Sequence, residues 1–183
     1  MQDINIVPVH ISNADLVQKI IYELSKIFPG KVKKIGIDIS VRESYSPDRR
    51  QYFSTRVLAE AVKHTSSIKG KVLILVSFDL YVPVFTFVFG EAQLNGKHSI
   101  VSLCRLHEEF YTGKTNTELL FSRTIKEILH ELGHNFGLLH CSNWDCVMHS
   151  SAIIEEVDIK GDNYCPDCMK IIRANNENEL SFS

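Results

Sequence analysis

Three histidines and a glutamate lie close together in the second half of the chain, in the order H-E-x-x-H-x-x-G-x-x-H from His130 to His140. His130 and His134 are four residues apart, so on a helix they share one face about one turn (about 5.4 Å) apart. Two imidazoles in this arrangement can bind one tetrahedral Zn²⁺. Glu131 adjoins the first of them, where a carboxylate can take a proton from a zinc-bound water and pass it to a leaving amine. The spacing predicts a hydrolytic metal centre.

A third protein ligand is needed, and a straight helix would carry His140 away from the ion. Gly137 can adopt the left-handed conformation that ends a helix at little steric cost, so the chain can turn and bring His140 back. Three histidines and one open position are typical of catalytic zinc sites, whereas structural sites are closed by four protein ligands. The alternative interpretation is a solvated helix face with two histidines and an ordinary capping glycine.

Four of the five cysteines follow this motif as two pairs, Cys141 with Cys146 and Cys165 with Cys168. The spacings C-x4-C and C-x2-C are typical of a structural zinc site. Residues 141–168 contain little that would fold alone, as in Ser142-Asn143, Ser150-Ser151 and Gly161-Asp162-Asn163. A bound zinc, at roughly 10 kcal/mol, would offset the cost of ordering this segment. We therefore expect a second, structural zinc. Two alternatives stay open: four reduced core cysteines without metal, or Cys141 acting on the catalytic zinc.

The histidine motif resembles that of the metzincin metallopeptidases. In that clan a methionine lies in a tight turn beneath the zinc histidines, and the resemblance implies this place for Met148; the tyrosine that some members carry two residues later is Ser150 here. Together with the cysteines, residues 130–168 resemble the archaemetzincin family. The family pattern usually has seventeen residues between the methionine and C-x-x-C, against sixteen in this chain. The resemblance implies a compact metzincin-like domain with a catalytic zinc and a four-cysteine zinc.

Apolar periodicity predicts the elements that must position these residues. The predicted strands cover residues 4–9, 33–40, 71–78, 85–90 and 100–106, and the predicted helices cover 14–27, 49–63, 117–136 and 169–174. Asn95-Gly96 is a hairpin turn signal between the last two strands. This order argues for the α/β class: a mixed twisted sheet with two packed helices, a long active-site helix and an irregular, zinc-stapled C-terminal segment.

Length and composition limit the domain organisation and the partners. A chain of 183 residues predicts a single domain, with a sheet/helix N-terminal subdomain (1–113), the active-site helix (114–137) and a C-terminal subdomain with the four-cysteine site (138–183). The formal charge of −2 disfavours nucleic acid, and no apolar run is long enough to span a membrane. If Met1 is the natural start, the absence of a secretory signal predicts a cytoplasmic protein with reduced thiols.

The sequence as a whole predicts a zinc-dependent metallopeptidase of the archaemetzincin type. Its cofactors would be two Zn²⁺, its substrate a peptide or protein, and Glu131 its general base and then acid. The alternatives are a catalytically weak, zinc-stabilised peptide-binding module and a zinc hydrolase of a non-peptide amide. Glu131 argues against the binding module, because a structural site does not need that base. In metzincins an extended substrate pairs with a strand above the helix. The candidates here are the strands predicted at 85–90 and 100–106, and Gly90 and Ala92, which would leave room for a substrate backbone, slightly favour the first.

Overall fold

The computed structural model describes residues 2–180, so the predicted outer domain limits, residues 1 and 183, lie outside it. Its strands are β1 (Ile4–Val9), β2 (Val32–Lys34), β3 (Tyr45–Ser46), β4 (Gln51–Phe53), β5 (Lys71–Val76), β6 (Leu80–Tyr81), β7 (Gly90–Ala92) and β8 (His98–Ser102). Its helices are α1 (Ala14–Ile27), α2 (Ser54–Thr65), α3 (Glu109–Thr112), α4 (Thr117–Asn135), α5 (Ile154–Ile159) and α6 (Pro166–Leu180). Within this range, none of the helices combines the length and apolarity needed to cross a bilayer.

Five strands form the main sheet in the order β2-β1-β5-β8-β7. All neighbours are parallel except β7, which pairs antiparallel with β8 at one edge. The central strand β5 is buried along its whole length, as its unbroken apolar run requires when both faces of a sheet are covered. The other three strands form a small separate sheet in the order β3-β4-β6. The predicted mixed α/β sheet is therefore confirmed.

The helices cover both faces of the main sheet. Alternate side chains of β1 and β5, such as Ile6 and Leu73, pack with α1 and α4 in one apolar cluster. Their neighbours Val7 and Val72 pack with α2 in a second cluster on the other face. The period of two along a strand produces this division, because successive side chains point to opposite faces.

Side-chain caps fix the starts of the two helices on the first face. Asn13 accepts a hydrogen bond from the backbone N–H of Leu16 at the start of α1, and Asn116 accepts one from Leu119 at the start of α4, both at 3.0 Å. Each cap satisfies a donor that the first turn of a helix leaves unpaired. The predicted limits of these two helices agree with the structure to within one residue.

Several other predicted limits were wrong. Of the strand predicted at 33–40, only Lys33 and Lys34 belong to β2; the isoleucines beyond them instead pack beside the α2 cluster, where Ile39 is buried. Alternating apolar residues indicate that one side of an extended segment is buried, and a segment that pairs with no strand can also bury one side. The helix predicted from residue 49 begins at Ser54, because residues 51–53 pair as β4.

The strands predicted near the motif also shift. Residues 85–89 are a loop and the strand is Gly90–Ala92, while the strand predicted at 100–106 runs from His98 to Ser102 and is followed by a short 3-10 turn. The C-terminal part is less irregular than predicted, because α5 forms at 154–159 and α6 starts at Pro166 instead of residue 169. Short strands and helices depend mainly on their tertiary neighbours, which periodicity does not reveal.

Candidate active site

Helix α4 presents His130 and His134 on one face. The Nδ1 atom of His130 lies 2.9 Å from the carbonyl oxygen of Val147, and Nδ1 of His134 lies 2.8 Å from that of Leu138. A carbonyl only accepts, so each Nδ1 must carry the proton and each Nε2 is left with a lone pair. The two Nε2 atoms are 3.2 Å apart. Two facing lone pairs at this distance repel each other unless a cation lies between them, so this donor set fits a metal ion.

The turn after α4 brings His140 to the same place. Gly137 has φ +89°, the left-handed conformation, and the backbone N–H of Leu138 donates to the carbonyl of Gly133 at 2.9 Å. The imidazole centroid of His140 then lies 5.2 Å from that of His130 and 5.0 Å from that of His134. The three candidate ligand nitrogens lie within 4.8 Å of one another. Nitrogens around a tetrahedral zinc are about 3.3 Å apart, so small side-chain adjustments would suffice.

The electrostatic environment keeps these imidazoles neutral. Burial lowers the pKa of His130 well below its usual value and also lowers the pKa of His134 and His140, and the positive charge of Lys160 acts in the same direction on all three. A neutral imidazole is the form that binds a metal. The site is therefore prepared for a cation at neutral pH.

The Glu131 side chain is buried beside the histidines. Burial, reinforced by the negative charge of Glu127, raises the pKa of its carboxyl well above the usual range, against the opposing charge of Lys160. Strand β7 passes close to it: a Cβ atom on Gly90 would lie 2.6 Å from Oε1 of Glu131 and 2.7 Å from the carbonyl oxygen of Ile100. Gly90 is thus the residue that lets the sheet edge approach the carboxylate.

Met148 lies under α4 and is fully buried. A Cβ atom on Gly133 would collide with the Met148 sulfur and come within 3.0 Å of the Tyr164 ring. The Tyr164 hydroxyl donates to the carbonyl of Leu129 at 2.6 Å. Gly133 and Tyr164 were not predicted as site residues. Gly133 itself was the available signal, because an isolated glycine inside a strong helical pattern indicates that another part of the chain packs closely against the helix.

The four predicted cysteines also come together. The sulfur of Cys141 is 4.0 Å from that of Cys165, the sulfur of Cys146 is 3.7 Å from that of Cys168, and none of the four forms a disulfide. Thiolates at 2.3 Å around a tetrahedral zinc are about 3.8 Å apart, so this donor set fits a zinc ion. Burial raises the pKa of the Cys146 thiol, and the backbone N–H of Cys165, which donates to its sulfur at 3.3 Å, acts in the opposite direction.

The histidines lie in a cleft of about 780 Å³. Besides the predicted residues, it is lined by residues of the loop before β7, of the turn after β7, of the segment 150–152, and by Glu127 and Lys160. Glu127 and Lys160 form a buried ion pair with Nζ 2.7 Å from Oε1. Neither was predicted from the sequence, although Glu127 lies one helical turn before Glu131 and so shares its face.

Comparison with known proteins gives consistent results. The model of peptidase family M54 matches residues 4–174. The archaemetzincin of Methanocaldococcus jannaschii is 42% identical over 134 residues, covering 73% of this chain and 72% of its own length. The archaemetzincin of Archaeoglobus fulgidus is 37% identical over 164 residues, covering 88% and 93%. The crystal structure of Methanopyrus kandleri archaemetzincin superposes with a TM-score of 0.83 at 32% identity, covering 96% of this chain and 95% of that one.

Proposed function

This chain belongs to peptidase family M54, the archaemetzincins, and is a zinc metallopeptidase, and we propose that it cleaves peptide bonds at the three-histidine site with Glu131 as general base and then acid. The carrying observation is the pair of Nε2 atoms, 3.2 Å apart, beside a buried glutamate in an open cleft. Each Nε2 keeps a free lone pair, because the Nδ1 of the same ring donates its proton to a backbone carbonyl. The alternative is an inactive module that binds peptides, and it predicts that the zinc-loaded protein cleaves none of them.

We assign His130, His134 and His140 as the ligands of the catalytic zinc. The carbonyls of Val147 and Leu138 hold the first two rings in the orientation that ligation needs. His140 is exposed on the cleft side, which leaves a fourth position open to substrate and water. When bound, zinc supplies a Lewis acid that acidifies water and polarises the scissile carbonyl.

Glu131 moves the proton in this proposal. It accepts a proton from the attacking water and donates it to the leaving amine as the carbon–nitrogen bond breaks. A raised pKa suits a group that must both take and give a proton near neutral pH. Strand β7 lies at the sheet edge beside this carboxyl, so its unpaired main-chain groups can bind an extended peptide.

The second zinc of the proposal belongs to Cys141, Cys146, Cys165 and Cys168. Four ligands close its coordination, so its role is structural. It would hold the floor of the active site, because the backbone N–H of Cys141 donates to the carbonyl of Met148 at 2.9 Å. The subdomain division at residues 113 and 137 and the cytoplasmic location remain predictions.

Substitution of Glu131 tests the mechanism. Glu131→Gln keeps the side-chain volume but removes the base, so we expect peptidase activity to fall by about 10²- to 10⁴-fold with zinc content unchanged. Glu118→Gln, an exposed glutamate in the first turn of the same helix, is the matched control and should keep full activity. Peptide cleavage and zinc per chain are the measurements. Near-normal cleavage by Glu131→Gln would refute the assigned role.

A further inference from the structure

Two leucines beside the histidines are unusually exposed. Leu94, in the turn after β7, is 55% exposed, and Leu139, directly before His140, is 68% exposed. Both line the cleft. Large apolar side chains that share a cleft and face water commonly mark a surface that a ligand covers.

The backbone on both sides of Leu94 is fixed to the end of α4. The backbone N–H of Asn95 donates to the carbonyl of His134 at 2.8 Å, and the side-chain amide of Asn135 donates to the carbonyl of Gln93 at 3.0 Å. Leu94 is therefore held within one residue of two anchoring hydrogen bonds. Its exposure does not come from a loose loop.

Leu139 is held in a similar way. Its predecessor Leu138 is buried, and the carbonyl of Leu138 accepts the hydrogen bond that orients His134. Its successor is His140. A Cβ atom on Gly137 would lie 3.4 Å from Oδ1 of Asn95, so the segments that carry the two leucines approach each other. A surface already fixed in place loses little conformational entropy when a ligand binds.

The charged side chains of the described cleft lining have other partners. Glu91 bonds to the hydroxyls of Ser54 and Thr55 on α2. Glu127 pairs with Lys160, whose side chain is fully buried. Glu131 serves the reaction proposed above. The two leucines therefore offer a substrate an apolar surface without a spare charge beside it.

We propose that Leu94 and Leu139 form a specificity subsite for one large apolar side chain, such as leucine or phenylalanine, next to the scissile bond. The proposal rests on the peptidase function assigned above, because it places the substrate in the same cleft. A substrate side chain that covers both leucines removes apolar surface of three side chains from water. Small, hydroxylated or charged side chains gain nothing from this contact.

The first measurement is a profile of kcat/KM with fluorogenic peptides that carry leucine, serine, glutamate or lysine at each position flanking the scissile bond. We expect leucine to exceed serine about tenfold or more at one position. Leu94→Ser and Leu139→Ser should each lower this leucine-to-serine ratio severalfold, while Leu139→Met keeps it. Zinc content should not change. Ile171→Ser, which alters an exposed isoleucine on α6 outside the cleft, should leave the ratio unchanged.

A binding measurement separates this proposal from the proposed function. The zinc-loaded Glu131→Gln protein is titrated with labelled leucine and serine peptides, followed by fluorescence polarisation. If the unmodified protein cleaves no peptide, but leucine peptides bind more tightly than serine peptides and lose this advantage in Leu94→Ser and Leu139→Ser, the proposed cleavage at this site fails and the subsite stands. If leucine and serine peptides have equal kcat/KM values and equal affinities, the subsite is overturned. The subsite is also overturned if Leu94→Ser and Leu139→Ser lower kcat/KM and affinity equally for every peptide.

Discussion

Two glycines set how closely neighbouring parts of the chain approach the turn of α4 that carries His130 and His134. Gly90 leaves room for the Glu131 carboxylate beneath the sheet edge, and Gly133 leaves room for the Met148 sulfur beneath α4. Neither has a positive φ, so the requirement is for space and not for an unusual backbone conformation. At both positions the missing methyl group is what permits the geometry of the site.

Gly90→Ala should therefore lower peptidase activity. The added methyl group would push against Oε1 of Glu131 and the carbonyl of Ile100, and a displacement of about 1 Å at a catalytic group can cost about 10²-fold in rate. We expect kcat/KM to fall by at least tenfold, with zinc content unchanged. The control is Gly36→Ala, because a Cβ atom there meets nothing within 4 Å. Equal activity of the two variants would show that Gly90 does not limit the position of Glu131.

Among the secondary-structure elements, α4 both carries active-site residues and anchors a neighbouring helix. One turn carries Glu131 and two of the proposed ligands, His130 and His134, while the preceding turns hold α5. The Arg123 guanidinium forms two hydrogen bonds of 2.7 Å to the Asp158 carboxylate. The Lys126 ammonium donates to three carbonyls at the end of α5, those of residues 157, 158 and 160. These contacts place Lys160 in the cleft beside Glu127.

Lys126→Met tests this scaffold. Methionine keeps most of the apolar stem but leaves three carbonyls without their donor, so we expect the free energy of unfolding to fall by about 2 kcal/mol or more. Peptidase activity should fall too, because the wall that carries Lys160 loses its anchor. Lys170→Met on α6 removes an exposed ammonium and should change stability by less than about 0.5 kcal/mol. Urea unfolding measures both; similar shifts in the two variants would contradict the scaffolding role.

At the scale of the whole molecule, the cysteine cluster joins the C-terminal part to the active-site floor. The backbone N–H of Val147 donates to the carbonyl of Asn163 at 2.9 Å, and Gly161 packs so tightly on Asp145 that a Cβ atom there would collide with its backbone. These contacts join the chain around Cys146 to the residues just before Cys165. The fold of this segment and the position of Met148 therefore depend on the same cluster.

Loss of one cysteine should remove one metal ion. We expect the purified protein to contain two zinc ions per chain, and Cys146→Ser to contain one and to melt at a markedly lower temperature, because structural zinc contributes several kcal/mol to folding. Cys104→Ser is the control, since Cys104 lies outside the cluster. Elemental analysis and thermal unfolding are the measurements. Two zinc ions retained in Cys146→Ser would remove the four-cysteine site from the proposal.

The amino-acid sequence was sufficient to predict those features of the site that depend on short spacings. The limits of α4, the shared face of His130 and His134 and the turn at Gly137 all follow from residues a few positions apart, where helix geometry or a short loop fixes the distance. The α/β class followed from the order of apolar patterns, although the edges of the short strands did not.

Sequence patterns did not predict which distant residues meet at the site. Lys160 reaches Glu127 across 33 positions, and Gly90 reaches Glu131 across a still longer separation. Such contacts depend on how the sheet, α4 and α5 pack together, and the types of single residues do not encode that packing. The same reason explains why β7, and not the whole predicted segment 85–90, became the strand beside the carboxylate: its pairing with β8 fixed the register.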